Sequence, residues 1–268
     1  MENVLEAKGI TQEYDGRVII QDVSIHLERR ELICLLGLSG SGKTTLFHVL
    51  SGLKRPREGH VFLDGKEITG QPGSVSYMLQ KDLLLQHKKV IDNVSLPLVL
   101  KGIPKKEARK IADPLFSGFG LEGTQNQYPS QLSGGMRQRA AFLRTCLCAQ
   151  GGSALWDTAS KGGGEQAVHG TALLDEPFSA LDTITKGQIH TWFLDMMKKI
   201  DLSVIFVTHD IDEALILSDR IYILTGKPGR ITHEIRILPE RSERGEFNLT
   251  EEFLEYKRRI LSVLQPEE

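Results

Sequence analysis

Residues 18–27 alternate apolar and polar positions, and similar alternation runs through most of the first 30 residues. This period of two predicts short β-strands, with a turn at Asp15-Gly16. A continuous apolar run follows at Leu32–Leu36, and it predicts a strand buried on both faces, as in a parallel sheet. The chain therefore begins with strands of two kinds.

Strand-like and helix-like segments alternate along the rest of the chain. Strands are predicted at 59–63, 74–79, 172–174, 203–207 and 220–224. Helices are predicted at 43–53, within 84–150, and at about 182–200 and 210–218. A helical tail is predicted at 241–268, whose apolar stripe favours docking on the domain over a regulatory or partner-binding site. Alternation of this kind predicts an α/β fold with a mainly parallel sheet covered by helices.

The composition places few further limits on function. Forty per cent apolar and 25% charged residues are ordinary for a globular protein, and a net charge of -2 gives no reason to expect a nucleic acid partner. Cys34, Cys146 and Cys148 are too few for a disulfide framework, so we expect reduced thiols. No apolar run reaches the roughly 18–20 residues that cross a bilayer, so a membrane role requires a partner.

A glycine-rich loop, Gly-Leu-Ser-Gly-Ser-Gly-Lys-Thr, follows the buried strand at residues 37–44. It matches the phosphate-binding pattern G-x-x-x-x-G-K-[ST], with a strand before it and a helix after it. Its backbone N–H groups and the positive end of the helix can surround an anion, Lys43 adds a full charge, and the Thr44 hydroxyl can ligate Mg²⁺. We expect a nucleoside triphosphate to be bound by Gly37, Leu38, Ser39, Gly40, Ser41, Gly42, Lys43, Thr44 and Thr45.

An apolar strand later in the chain ends in the acidic pair Asp175-Glu176. A carboxylate at the end of such a strand lies at the sheet edge, where Asp175 can join the Mg²⁺ shell. Glu176 can reach a water beside the γ-phosphate and orient or deprotonate it. A plain strand-to-loop turn also explains this sequence taken alone, but its combination with the phosphate loop favours catalysis.

Leu-Ser-Gly-Gly at residues 132–135 opens a second helix with anion-binding character. Ser133 can cap this helix, and Gly134 and Gly135 leave its N–H groups accessible. The chain therefore has one phosphate loop but two phosphate-binding helix starts. The simplest interpretation is that these three residues serve the nucleotide of a second copy, although in isolation they could be an ordinary cap.

These motifs, in this order, resemble those of the ABC transporter ATPases, over about residues 5–238. The Walker A loop is at 37–44, the signature is at 132–135, and the Walker B strand ends at Asp175. Three further family motifs are present: a glutamine at 80, Ser-Ala-Leu-Asp at 179–182 and a histidine at 209. The resemblance implies a P-loop NTPase with a mainly parallel core sheet, an N-terminal antiparallel β subdomain and an inserted α-helical subdomain. A single domain would span 1–240, with the helical part at about 84–150.

The resemblance also implies roles for individual side chains. Gln80 would contact Mg²⁺ or the attacking water, and His209 would contact the γ-phosphate of the same ATP. Asp182 would help to join two copies, and Tyr14 would stack on adenine. The implied cofactors are ATP and Mg²⁺; the implied metal ligands are Thr44, Gln80 and Asp175, and the implied catalytic residues are Glu176, His209, Gln80 and Lys43.

Finer matches at 78–85, 90–94, 134–139, 212–221 and 228–231 resemble the ATPases of nitrate, sulfonate and taurine importers. Such a subunit would pair with a second copy and act on transmembrane permease subunits, and through them on an extracytoplasmic solute-binding protein. It would lie at the cytoplasmic face of a bacterial membrane. Two alternatives stay open, namely an ABC ATPase outside transport and a subunit of another transporter class.

Residues 151–170 depart from the family pattern. This segment has six glycines in twenty residues and no period, so it predicts a flexible surface insertion. In the family, the signature helix leads to the acidic strand through only a few residues. A loop of this length costs about 1–2 kcal/mol of closure entropy, which the fold can accommodate.

Overall fold

The structure is a computed structural model that describes residues 2–150, 169–179, 181–241, 244 and 246–264. The chain divides into two compact units. The first contains Met1–Val75, Leu173–Glu176 and Ser203–Glu268, and the second contains Ser76–Ala172 and Pro177–Leu202. The predicted insertion at 151–170 lies outside the described residues, except for its last two positions.

The first unit begins with an antiparallel sheet in the strand order β2-β1-β4-β5. Its strands are β1 Asn3–Tyr14, β2 Arg17–Glu28, β4 Glu58–Leu63 and β5 Lys66–Glu67. The β1–β2 turn has positive φ at Asp15 (51°) and Gly16 (75°), as a two-residue type I′ hairpin requires. The predicted N-terminal antiparallel sheet and its turn are therefore present.

The first two strands are 12 residues each, so the prediction of short strands is wrong. Gly9 and Asp22 have φ of 62° and 50°, and the register of the strand pair shifts around them. Side-chain hydroxyls bind the N–H groups there: Gly9 N donates to Ser24 Oγ (2.9 Å) and Asp22 N to Thr11 Oγ1 (3.1 Å). Each strand therefore continues past a β-bulge, at which the alternation of apolar and polar residues is interrupted.

The larger sheet has the strand order β10-β9-β3-β8-β7-β6. Its strands are β3 Leu32–Leu36, β6 Ser76–Met78, β7 Gly170–Asp175, β8 Leu202–Thr208, β9 Arg220–Thr225 and β10 Arg230–Arg236. β3 is parallel to both of its neighbours, β8 and β9, and is wholly buried, as predicted. β10 is antiparallel to β9 and is not predicted from the sequence, because Ile235 is its only buried residue.

The α-helices of the described residues are α1 Lys43–Leu50, α2 Val90–Val94, α3 Leu96–Leu100, α4 Lys105–Ala112, α5 Leu115–Gly118, α6 Gly134–Gln150, α7 Thr183–Lys199, α8 Ile211–Leu217 and α9 Glu251–Leu264. None of them is long and apolar enough to cross a membrane. α1 ends three residues before its predicted end, because Gly52 has φ of 74° and so stops the helix in the left-handed conformation.

The second unit is built around aromatic side chains of α6 and α7. Phe142 and Phe193 have ring centroids 5.2 Å apart, and Phe178 lies 5.5 Å from Phe193. Trp192 lies 5.9 Å from both Phe119 and Phe142. These edge-to-face contacts hold the two long helices of the unit together, and α6 is the helix that carries the signature sequence.

The tail helix α9 docks on α8 in the first unit. Phe253 and Ile260 are buried, and the Phe253 ring lies 5.3 Å from that of Phe247. Lys257 forms a 2.6 Å ion pair with Asp212 of α8. The apolar stripe of the tail is therefore used for packing within the chain.

All three cysteines are free thiols, as predicted. Cys34 and Cys146 are buried, and burial raises the pKa of both thiols well above the ordinary value. A thiol that keeps its proton is a poor nucleophile and a poor metal ligand. These two side chains therefore serve as core packing.

Candidate functional site

The glycine-rich loop leaves the end of β3 and leads into α1, and two of its glycines, Gly37 and Gly42, have close neighbours. A Cβ atom on Gly37 would lie 2.4 Å from Leu224 O, and one on Gly42 would lie 2.5 Å from Ile20 Cγ2. Gly40 and Gly42 also have positive φ, 80° and 101°. A loop with these contacts can turn tightly while its N–H groups stay available to an anion.

Lys43 folds back over this loop. Its Nζ donates to Gly37 O (2.8 Å) and Leu38 O (2.9 Å), and the residue is only 8% exposed. Burial lowers the pKa of the ammonium group, whereas the charges of Glu176 and Asp175 raise it. Lys43 of the loop therefore interacts electrostatically with both carboxylates of the acidic pair.

The acidic pair stands at the end of β7. Asp175 is the last residue of this strand and is 7% exposed. Glu176 follows with φ of 44°, a left-handed conformation that is unfavourable for a residue other than glycine. The Glu176 N–H donates to Val207 O (3.1 Å), so the end of β7 is fixed beside the end of β8. Backbone strain of this kind is typical of functional positions.

His209 follows β8, and its side chain is 61% exposed. Its Nδ1 lies 3.2 Å from Oε1 of Glu176. The structure therefore brings together four predicted site residues within the first unit: Lys43, Asp175, Glu176 and His209. A carboxylate and an imidazole in contact can together orient and accept a proton from a water molecule.

A cavity of about 550 Å³ opens beside the loop. It is lined by Gly16, Arg17, Val18, Ile19, Gly40, Lys227 and Pro228. Its volume lies in the range of small-molecule sites. Tyr14, the predicted adenine partner, is 36% exposed, and Lys54 Nζ lies 5.9 Å from its ring centroid. The β9–β10 turn also lines this cavity with Lys227 and Pro228, which the sequence does not assign to the site. The signal at this turn is the match to the importer ATPases at 228–231.

The signature residues lie in the second unit, at the start of α6. Ser133 Oγ accepts from Met136 N (3.3 Å), so it caps the helix. A Cβ atom on Gly134 would lie 3.3 Å from Leu181 Cδ2, which is tighter than an ordinary contact, whereas one on Gly135 would lie 3.5 Å from Thr185 Cγ2. The helix therefore has the cap and the small residues of an anion-binding end.

Asp182 and Gln80 also belong to the second unit. The Asp182 carboxylate accepts from Thr185 N (3.1 Å) and Thr185 Oγ1 (2.6 Å), so it caps α7 besides any contact with another copy. Gln80 is exposed and follows β6. The segment after it is held by Arg144 of α6, whose guanidinium donates to Asp82 O (2.5 Å) and Leu83 O (3.0 Å).

The chain is similar to known proteins in sequence and in fold. The family described as ABC transporter matches residues 20–158, just over half of the chain. The chain belongs to the ABC transporter family. This ABC ATPase binds and hydrolyses ATP, and its fold is the P-loop NTPase fold that the sequence predicts.

Two curated relatives and one solved structure illustrate the similarity. The ABC ATPase is 39% identical over 243 residues to the formylaminopyrimidine import ATP-binding protein of Halalkalibacterium halodurans, covering 91% of this chain and 86% of the relative. It is 33% identical over 258 residues to the nitrate import ATP-binding protein of Synechocystis sp., covering 94% and 90%. A dimeric ATP-binding cassette, MJ0796, in a post-hydrolysis state with ADP and Pi, has a TM-score of 0.68 at 26% identity, covering 88% of this chain and 99% of that one.

Proposed function

We propose that this ABC ATPase energises the import of a small solute through a membrane permease. The relatives named above are import ATP-binding proteins for formylaminopyrimidine and for nitrate, and they match almost the whole chain. The observation that carries the catalytic part of the proposal is the contact of Glu176 with His209 beside the Lys43 loop.

In this proposal the phosphates of ATP lie against the N–H groups of the loop 37–45. The Lys43 ammonium exchanges its two carbonyl partners for phosphate oxygens, which are stronger acceptors because they are charged. The base lies toward the cavity beside Gly40, with Tyr14 as its stacking partner. ATP is thus bound by groups of the first unit.

Hydrolysis requires a water in line with the γ-phosphate. Glu176 orients this water and accepts its proton, and His209 holds the carboxylate and contacts the γ-phosphate. Thr44, Asp175 and Gln80 are all oxygen donors, and hard oxygen ligands of this kind suit Mg²⁺, which binds mostly to phosphates and water with one or two protein ligands. The ion would supply charge neutralisation on the phosphates.

The second half of each site would come from another copy. Ser133, Gly134 and Gly135 offer a capped, positive helix end, and the solved cassette MJ0796 is dimeric. The dimer would act on transmembrane permease subunits at the cytoplasmic face of the membrane, and a solute-binding protein outside would deliver the cargo. Co-purification with a permease tests this; recovery with soluble nucleic acid or ribosomes instead would favour the non-transport alternative.

Glu176→Gln tests the proposed base. The substitution keeps the size of the side chain but removes its ability to accept a proton, so we expect ATP hydrolysis to fall by about 100-fold or more. ATP should still bind, and the dimer should accumulate when ATP is added. Phosphate release and light scattering measure the two effects.

The matched control is Glu58→Gln, at an exposed position of β4. It should hydrolyse ATP like the wild type. Undiminished hydrolysis by Glu176→Gln, measured in vesicles that contain the permease, would show that another group is the base.

A further inference from the structure

The turn between β9 and β10, residues 226–229, reaches the phosphate loop from the far end of the chain. Gly229 N donates to Ile19 O (2.8 Å), and Gln21 N donates to Gly229 O (3.0 Å). These two bonds make a short parallel bridge between Gly229 and Ile20 of β2. The turn is therefore fixed to β2 at the point where β2 packs against Gly42 of the loop.

Gly229 also touches the loop directly. A Cβ atom on Gly229 would lie 2.0 Å from Ser41 O and 3.2 Å from Ser41 C. Real Cβ atoms do not approach an oxygen so closely, and Gly229 has no positive φ to explain why it is glycine. This glycine is therefore required by the space between the turn and the phosphate loop.

The contact fixes the direction of a peptide group in the loop. In a trans peptide the C=O of one residue and the N–H of the next point in opposite directions. Because Ser41 O faces Gly229, the N–H of Gly42 points away from the turn. Anion-binding loops depend on consecutive N–H groups that keep one direction. The turn thus packs against the outer side of a loop whose inner side receives phosphates.

The same turn lines the cavity beside the loop. Lys227 and Pro228 line it together with Gly40 and Arg17. Among the described residues that line this cavity, two are cations and none is acidic. A cavity with this charge favours an anionic ligand.

We infer that the β9–β10 turn is a part of the nucleotide site, in which Gly229 positions the phosphate loop and Lys227 contributes a positive charge to the bound nucleotide. This inference rests on the proposed assignment of the loop 37–45 to the phosphates. It adds a positioning residue and a binding residue that the loop motif does not include.

Gly229→Ala tests the positioning role. Either the loop or the turn must shift to make room for the methyl group, so nucleotide should bind about tenfold or more weakly. Fluorescence titration with ADP and with a non-hydrolysable ATP analogue gives the dissociation constants. The KM for ATP should rise, while kcat at saturating ATP changes much less, because the catalytic side chains are untouched.

The matched control is Gly118→Ala, the same chemical change at a helical glycine with no atom within 4 Å of the added methyl group. It should bind nucleotide like the wild type. Lys43→Ala serves as the reference for the site itself and should lose binding. Normal binding by Lys43→Ala would refute the assignment of the loop, whereas lost binding by Lys43→Ala and normal binding by folded Gly229→Ala would refute only the role of the turn.

The Lys227 variants decide the inference if Gly229→Ala does not fold, because Lys227 is exposed and its replacement leaves the core intact. We expect affinity to fall about threefold in Lys227→Ala and about tenfold in Lys227→Glu, with less difference at high salt. Lys227→Arg should restore it. Wild-type affinity in Lys227→Glu at low salt would overturn the inference.

Discussion

The Lys43 ammonium group donates to two carbonyl oxygens of its own loop, and in the proposed complex phosphate oxygens replace them. Burial lowers the pKa of this ammonium group, and the charges of Glu176 and Asp175 partly oppose that shift. Since two hydrogen bonds already fix the Lys43 side chain along the loop, little side-chain entropy is lost when a phosphate replaces the carbonyls.

Asn93 organises the segment that follows Gln80. It is fully buried, and its Oδ1 accepts from Leu85 N (2.6 Å), while its Nδ2 lies within bonding distance of the carbonyl oxygens of Leu85, Lys88 and Lys89 (3.1–3.2 Å). One amide side chain therefore supplies hydrogen-bond partners for the backbone N–H and C=O groups of the loop at 85–89.

Asn93→Ala should lower the free energy of unfolding by about 2–3 kcal/mol, because buried backbone groups lose their partners. Urea unfolding measures the change. Asn126→Ala is the control, since Asn126 is exposed and bonds only the Lys89 side chain among the contacts of the described residues. Equal stability of the two variants would contradict the prediction.

At the scale of elements, α6 connects two parts of the predicted machinery. Its first turn carries the signature residues and Arg137, which pairs with Asp82 (3.3 Å). About two turns after Arg137, Arg144 donates to the Asp82 and Leu83 carbonyls, so both arginines hold the segment after Gln80. Leu83 has φ of 45°, so this hold keeps the backbone in an unfavourable conformation. We therefore expect a movement of α6 to be passed on to this segment.

Arg144→Ala should release the segment after Gln80. Two charge-assisted hydrogen bonds are lost, so amide hydrogen exchange over residues 80–85 should be at least about tenfold faster. Exchange followed by mass spectrometry measures this. The control is Arg258→Ala on the exposed side of α9, and unchanged exchange in Arg144→Ala would exclude the proposed link.

At the scale of the whole molecule, a two-fold dimer would contain two sites, each made from the loop of one copy and the signature of the other. Lys43→Ala damages only the loop, and Ser133→Arg damages only the signature. Each variant alone should be inactive, because every site of its dimer carries the damage.

A mixture of the two variants should regain hydrolysis. Half of the dimers are then mixed, and each mixed dimer has one intact site, so random pairing predicts about a quarter of wild-type turnover. Steady-state phosphate release measures the recovery. A mixture as inactive as its components would argue against sites shared between copies.

Much of this arrangement is readable from the sequence because it rests on local chemistry. The loop glycines, Lys43, and the Asp175-Glu176 pair at a strand end follow from spacing alone. Two features are not local. The length of β1 depends on bulges, where backbone N–H groups donate to hydroxyl groups of the neighbouring strand. Position 229 requires glycine because Ser41 O lies too close for a Cβ atom. A sequence pattern does not encode contacts between such distant positions.

At Glu176, the residue that would best stabilise the fold differs from the residue that ATP hydrolysis requires. A left-handed residue with a side chain costs about 1–2 kcal/mol, and glycine would remove that cost. Glu176→Gly should therefore yield a protein that folds at least as well and hydrolyses almost no ATP. Selection for thermal resistance alone would thus favour loss of the catalytic carboxylate, so directed evolution of this chain needs a screen for turnover.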